Sequence, residues 1–263
     1  KQYVLRGMWV KFASLGSGSK GNATLVETPH SCLMVDCGFS NKETIRRLNK
    51  VGKLPEDITA ILVTHEHSDH WKGVLPFATK FLIPIYATAG CYRSVNINPS
   101  SSELYNVICS HSEFTVNDAS ILPIPVPHDA CEPVQYIIST NQNRLGILTD
   151  VGHITPYIVE QYKNCCGLLV EANHDLGLLQ TGSYPKFLKE RVAGQWGHLN
   201  NQQTASLLGA INQDSVQKLV IAHISESNNS SKKVKQAIED VFLSVQKIIY
   251  ANQNEGFDWV YLC

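Results

Sequence analysis

One short stretch of the chain concentrates side chains that bind metal ions. It reads Thr64-His65-Glu66-His67-Ser68-Asp69-His70 and directly follows the apolar run Ala60-Ile61-Leu62-Val63. Imidazole nitrogens and carboxylate oxygens are the donors that suit zinc, iron or manganese. A merely polar loop has no reason to place three histidines and an aspartate beside the end of a buried strand. The stretch therefore predicts a metal site, and the rest of the chain must supply the ligands that it lacks.

Three later strand ends carry side chains of the same kinds. His128, Asp150 and His223 each come directly after a predicted apolar strand. Metal ligands are typical of such positions, where a strand ends and the chain turns out of its sheet. Any one of the three alone is readily explained as a cap or a turn residue. Together with residues 64–70, they predict one composite centre.

A glycine-rich loop, residues 16–22, looks at first like a nucleotide-binding motif. Gly16, Gly18 and Gly21 match G-x-G-x-x-G after a predicted strand. A dinucleotide fold requires a helix to begin inside that loop, whereas residues 23–27 and 32–36 predict two strands joined by a turn. We therefore reject the nucleotide interpretation and expect the loop to contact an anionic substrate instead.

The elements that must position these groups alternate between strands and helices along the whole chain. Apolar runs separated by turn residues predict the strands, and Ser40 and Thr88 are typical N-caps of the helices that follow them. Single helices are also predicted over residues 71–80 and 230–245. The pattern predicts two sheets flanked by helices, in a single domain over residues 8–263. We interpret residues 1–7 as the remnant of a tag.

Composition indicates an ordinary globular protein. Of 263 residues, 43% are hydrophobic, and the net charge of −1 gives no general attraction to nucleic acid or to membranes. No apolar run is long enough to span a membrane and no signal peptide is evident, so we expect a cytoplasmic location with free thiols. A polyanionic substrate would need a local basic patch. Two are available, Lys42, Arg46, Arg47 and Lys50 on one predicted helix, and Lys186, Lys189 and Arg191.

The order of these motifs resembles the metallo-β-lactamase fold superfamily. Thr-His-x-His-x-Asp-His after an apolar strand resembles its second motif, and the first, third, fourth and fifth are matched by Asp36, His128, Asp150 and His223. Residues 15–22, 171–175, 197–201 and 223–229 are similar to the small bacterial nuclease-like group of the YycJ/WalJ type. The resemblance implies a four-layer αββα sandwich of the α/β (α+β) class, with its site at the open edge between the sheets.

The same resemblance implies two divalent metal ions, zinc or manganese, in adjoining sites. The implied ligands of the first ion are His65, His67 and His128, those of the second are Asp69, His70 and His223, and Asp150 would bridge both. Asp36 would orient a ligand histidine without binding metal itself. The predicted substrate contacts are Ser17, Ser19, Lys20, Asn22 and Asn228.

These ligands predict hydrolysis. Two ions about 3.5–4 Å apart share a bridging hydroxide at neutral pH and neutralise the attacked group, which suits a phosphodiester. Asp69 and His198 are the catalytic candidates, with His198 as general acid or phosphate contact, although a structural role in a helix-capping turn fits His198 equally well. The subgroup resemblance implies a DNA exonuclease. A hydrolase of a small ester, thioester or lactam is the alternative, and the intact ligand set disfavours a non-catalytic protein.

Overall fold

The computed structural model describes residues 9–252 and 254–262, and the predicted tag remnant at residues 1–7 lies outside the described residues. The strands are β1 Val10–Gly16, β2 Ala23–Glu27, β3 Cys32–Val35, β4 Ala60–Leu62, β5 Ile85–Thr88, β6 Tyr105–Ile108, β7 Phe114–Val116, β8 Ala119–Pro125, β9 Val134–Ser139, β10 Arg144–Leu148, β11 Gly167–Glu171, β12 Lys218–Ala222, β13 Ile248–Tyr250 and β14 Phe257–Leu262. The α-helices are α1 Asn41–Lys50, α2 Ser68–Trp71, α3 Val74–Phe81, α4 Ala89–Ser94, α5 Pro156–Tyr162, α6 Leu176–Thr181, α7 Lys186–Val192, α8 Asn201–Ala210 and α9 Ser231–Glu239.

The described strands pair into two seven-stranded sheets built on the same plan. Their orders are β14-β1-β2-β3-β4-β5-β6 and β13-β12-β11-β10-β9-β8-β7. In the first sheet the antiparallel strands β1 to β3 lead into the parallel strands β3 to β6. In the second sheet the antiparallel strands β7 to β10 lead into the parallel strands β10 to β13. Parallel strands need crossover connections, so the chain leaves each sheet at the C-terminal ends of these strands, where site residues commonly project.

Apolar side chains form one layer between the sheets and one layer outside each. Phe12, Leu62 and Tyr136 belong to the central layer, which joins the two sheets. The outer layers pack α1, α3 and α4 on the first sheet, around Phe77, and α5, α8 and α9 on the second, around Tyr162. This arrangement confirms the predicted αββα sandwich and its single domain.

The local predictions around the glycine-rich loop and the helix caps are confirmed. The loop connects the antiparallel strands β1 and β2, and α1 begins only after the end of β3. The side chains of Ser40 and Thr88 accept the N-terminal backbone N–H groups of α1 and α4, at Glu43 and Cys91. The short polar side chains thus satisfy donors that the helices leave unpaired.

Two predicted helices are shorter than expected. The helix predicted over residues 71–80 is divided into α2 and α3 around Gly73, whose N–H donates to the Cys37 carbonyl and where a Cβ would lie 2.1 Å from the Phe39 carbonyl oxygen. The helix predicted over 230–245 ends at Glu239, because Phe242 turns inward and is fully buried. None of the described helices is long and apolar enough to cross a membrane.

Candidate metal centre

Three of the predicted site residues follow parallel strands in an uncommon backbone conformation. Asp36 follows β3, Asp150 comes shortly after β10 and His223 follows β12, with φ values of 61°, 55° and 52°. Such left-handed values cost energy for residues other than glycine and persist where the surroundings fix them, often at functional sites. The sharp turns bring these side chains to the same edge between the sheets.

Three imidazoles meet near the ends of β4 and β8. His65 Nε2 lies 3.0 Å from His67 Nδ1, which lies 3.4 Å from His128 Nε2. His128 Nδ1 donates to the carbonyl oxygen of Gly197 at 3.0 Å, so its Nε2 presents a lone pair to the other rings. We call His65, His67 and His128 the histidine end of the centre.

Asp36 contacts His70 and holds its ring in place. Asp36 Oδ2 accepts hydrogen bonds from His70 Nδ1 and Thr64 Oγ1, and Oδ1 accepts from the Thr64 backbone N–H, each at 2.8 Å. With Nδ1 engaged, His70 Nε2 faces Asp150 Oδ2 at 3.4 Å and Asp69 Oδ2 at 3.6 Å. An outer carboxylate that bonds one ring nitrogen in this way orients the other toward a metal.

Asp150 lies between two groups of imidazoles. Its Oδ2 faces His70, while its Oδ1 lies 3.6 Å from His223 Nδ1 and 3.7 Å from His198 Nδ1. The residue is 3% exposed, and Oδ2 has no hydrogen-bond donor among the described residues. A buried carboxylate oxygen without a donor is unfavourable, and a cation bound at this point would compensate it.

Glu171, the last residue of β11, is a site residue that the sequence analysis missed. It is fully buried, and its Oε2 accepts hydrogen bonds from His198 Nδ1 at 3.2 Å and His223 Nδ1 at 3.1 Å. Its Oε1 accepts two backbone N–H groups. Glu171 therefore keeps Nδ1 protonated in both rings and leaves each Nε2 to act on a bound ion or molecule.

A signal for Glu171 was present in the sequence. Residues 167–171 form an apolar strand that ends in an acid, as the strands before Asp150 and His223 end in a ligand. The same strand-end criterion would have included Glu171. We call Asp150 and Glu171, with His70, His198 and His223 around them, the carboxylate end of the centre.

The donor set fits divalent metal ions. Ligand atoms lie within 4.8 Å of one another in three sets, His65, His67 and His128; His65, His70 and Asp150; and Asp150, His198 and His223. Converging imidazole lone pairs, beside a carboxylate oxygen without a donor, are favourable where cations lie between them. The structure adds His198 to the predicted donors and places Asp69 outside these sets, with its carboxylate next to His70.

Charge divides the centre into two electrostatic halves. At the histidine end, burial lowers the pKa of His65 well below its ordinary value and also lowers the pKa of His128. At the carboxylate end burial acts in the same direction, but the Asp150 carboxylate and its neighbours outweigh it and raise the pKa of His70 to about 10 and of His223 to about 9. Burial alone would raise the pKa of Glu171, yet His198 and His223 hold it at about 2.

A cavity of about 290 Å³ opens onto both ends of the centre. The metal-ligand candidates His67, Asp69, Asp150 and His223 line it, as does His198. The opposing lining comes from residues 224–228, from Gly18 and Ser19 in the glycine-rich loop, and from Tyr184, Leu188, Arg191 and Val192. A molecule in this cavity therefore contacts the donors directly.

Only some of the predicted substrate contacts lie on the cavity wall. Ser19 and Asn228 line the cavity. The Oγ of Ser17 accepts the backbone N–H of His223 at 3.1 Å, and the side chain of Asn22 contacts Asp69 Oδ2 at 3.3 Å and His70 Nε2 at 3.0 Å. These two residues thus position ligands.

Lys20 and the basic residues of helix α1 also form contacts within the protein. Lys20 pairs with Glu226 at 3.1 Å. Arg47 donates to the carbonyl oxygens of Leu15 and Asn254 and packs its guanidinium on a phenylalanine ring, while Glu43 pairs with both Arg46 and Arg47. Much of the positive charge that the sequence placed on α1 is therefore neutralised within the fold, whereas the guanidinium of Arg191 lines the cavity.

Comparison with known proteins agrees with this architecture. The family model described as a beta-lactamase superfamily domain matches residues 32–224. Exodeoxyribonuclease WalJ of Streptococcus pneumoniae is 33% identical over 223 residues, 83% of each chain, and exodeoxyribonuclease YycJ of Bacillus anthracis is 31% identical over 239 residues, 89% of each chain. The crystal structure of the metallo-beta-lactamase fold protein YhfI from Bacillus subtilis superposes with a TM-score of 0.74 at 13% identity, covering 97% of this chain and 99% of that one. The chain thus belongs to the metallo-β-lactamase fold superfamily.

Proposed function

We propose that the protein is a metal-dependent phosphodiesterase that degrades DNA as an exonuclease. The observation that carries this proposal is the cluster of imidazoles and buried carboxylates around Asp150, open to a cavity. The names of the relatives WalJ and YycJ point to the same reaction. The cavity wall also carries Arg191, and a guanidinium suits a phosphate-bearing substrate. No comparable feature favours a small ester, thioester or lactam.

The metal would be held at both ends of the centre. We assign His65, His67 and His128 to one divalent ion, and Asp69, His70 and His223 to another, with Asp150 between them, as zinc or manganese. When bound, such ions lower the pKa of a shared water toward about 7 and neutralise charge on a phosphoryl group. Asp36, through His70, and Glu171, through His223, orient these ligands.

His198 is placed to protonate the leaving group. It lines the cavity, and its Nδ1 is engaged by Glu171, so Nε2 is the nitrogen that can reach a bound substrate. Donation of the Nε2 proton to the leaving alkoxide would avoid the release of a strongly basic oxygen. These contacts support the general-acid role over the structural alternative for His198.

Labelled DNA tests the proposal. Metal-loaded protein is incubated with end-labelled duplex and single-stranded DNA, and in parallel with thioester and β-lactam probes. We expect stepwise shortening of DNA and no turnover of the other probes. His67→Ala and Asp69→Ala should each abolish the shortening. DNA degradation that persists in both variants would reveal a contaminant, and turnover of a thioester or lactam alone would establish the alternative function.

A further inference from the structure

Residues 184–196, which we call the wall segment, border the cavity and carry exposed aromatic rings and positive charge. Tyr184, Leu188 and Arg191 line the cavity. Phe187 and Trp196 belong to the same segment and are 70% and 60% exposed. Large apolar side chains grouped on a surface beside a functional cavity are a mark of a binding surface.

The wall segment presents these rings from a fixed backbone. Phe187 comes four residues before Arg191 on α7, so the two side chains are neighbours on the helix surface. The carbonyl oxygen of Trp196 accepts the N–H of Asp129 at 3.0 Å, and its Cα lies against Gly152, where a Cβ would approach it to 2.7 Å. A ring on an anchored backbone loses little conformational entropy when a ligand stacks on it.

The charge of the wall segment suits a polyanion. It contains three cations, Lys186, Lys189 and Arg191, against one acid, Glu190, within a chain of net charge −1. The Lys186–Glu190 pair is an exposed contact at 3.7 Å and therefore weak. Arg191 Nε pairs with Asp129 Oδ2 at 2.5 Å, which fixes the guanidinium at the cavity while its remaining N–H groups can bind phosphate.

We propose that the wall segment is a stacking platform for unpaired bases at a single-stranded DNA end, which it guides to the metal centre. Bases stack on Phe187 and Trp196 while the backbone phosphates face Arg191 and Lys186. Every base has a π face, so such a surface binds single strands with little sequence preference. In a duplex those faces are stacked on neighbouring bases and cannot use the rings. The inference rests on the proposed function, because it concerns the substrate of that same centre.

Binding to a cleavage-resistant strand tests the platform separately from hydrolysis. The probe is a fluorescein-labelled phosphorothioate oligothymidylate of about ten nucleotides, a length within the usual site sizes of single-strand binders. Its Kd for the metal-loaded protein is measured by fluorescence anisotropy. Because stacking on one aromatic ring contributes about 1–3 kcal/mol per base, Phe187→Ala and Trp196→Ala should each raise Kd about 10-fold. Trp196→Phe should retain most of the affinity.

Tyr261→Ala serves as the matched control, since Tyr261 is an aromatic residue on β14, outside the wall segment, that is 53% exposed. Its Kd should equal that of the unaltered protein. Unchanged Kd values in the Phe187 and Trp196 variants would overturn the platform, and so would an equal loss of affinity for a blunt hairpin duplex. If the protein binds the strand in the expected pattern but degrades no DNA, the platform stands and the proposed function fails. If the protein degrades DNA while both variants bind the strand normally, the proposed function stands and the platform fails.

Discussion

The two ends of the centre use the same residue types in opposite electrostatic settings. The histidine end places three imidazoles around one another, and burial keeps His65 and His128 neutral. The carboxylate end surrounds two buried acids, Asp150 and Glu171, with imidazoles, and carboxylates there raise the pKa values of His70 and His223. The difference teaches that one end is ready to bind a cation, whereas the other must first release protons.

The contrast follows from which strands supply each end. The segment after β4 brings His65 and His67 together and adds no buried acid between them. The parallel strands β10 and β11 each lead to a buried acid, Asp150 and Glu171, next to His223 after β12. Neighbouring parallel strands end side by side, so the acids and the histidine necessarily meet. The asymmetry is therefore a property of the second sheet.

Removing the acid between the two ends should have the largest effect. Asp150→Ala takes away the carboxylate that faces both His70 and His223, and with it the position that the proposed two ions would share. We expect DNA hydrolysis to fall by at least about 10³-fold, because two ions contribute several kcal/mol of charge stabilisation. Rate assays together with elemental analysis of bound metal check this. Asp240→Asn, an exposed acid elsewhere, is the control and should retain full activity and metal content.

Neutralising the second acid should have an intermediate and selective effect. Glu171→Gln keeps the shape of the side chain but removes the charge of the carboxylate that accepts the hydrogen bond of His198 Nδ1. We expect kcat on DNA to fall by about 10–100-fold. On a nitrophenyl phosphodiester, whose leaving group needs no proton, kcat should fall much less. Equal losses on both substrates would mean that Glu171 acts through the metal ligand His223 and not through His198.

Acidity should weaken metal binding at the carboxylate end more than at the histidine end. In the metal-free protein His70 and His223, with pKa values of about 10 and about 9, hold protons at pH 7 that an incoming ion must displace. Metal affinity at this end should therefore rise with pH up to about 10, by about tenfold per pH unit for each proton released. Calorimetry in buffers of different ionisation enthalpy counts these protons. Equal metal affinities of the carboxylate end at pH 6 and pH 8.5 would refute the electrostatic difference between the two ends.

The fold and most donors of the centre were predictable from sequence because they follow local rules. Apolar runs fixed the strands, and the residues that end them, such as His128 and His223, fixed the candidate ligands. Helix lengths and the packing of loop side chains were not predictable in the same way. Whether Ser17 or Asn22 faces a substrate or a ligand depends on how the glycine-rich loop packs against residues far along the chain, and Phe242 ends a helix early because of tertiary burial.

Metal titration tests the central claim most directly. Protein freed of metal by a chelator is titrated with zinc or manganese while hydrolysis of end-labelled DNA is followed. If two ions act in one centre, activity should stay low through the first equivalent, which the neutral histidine end takes up, and reach its full value with the second. Full activity after one equivalent, or activity that persists in the chelator-treated protein, would contradict a dinuclear centre.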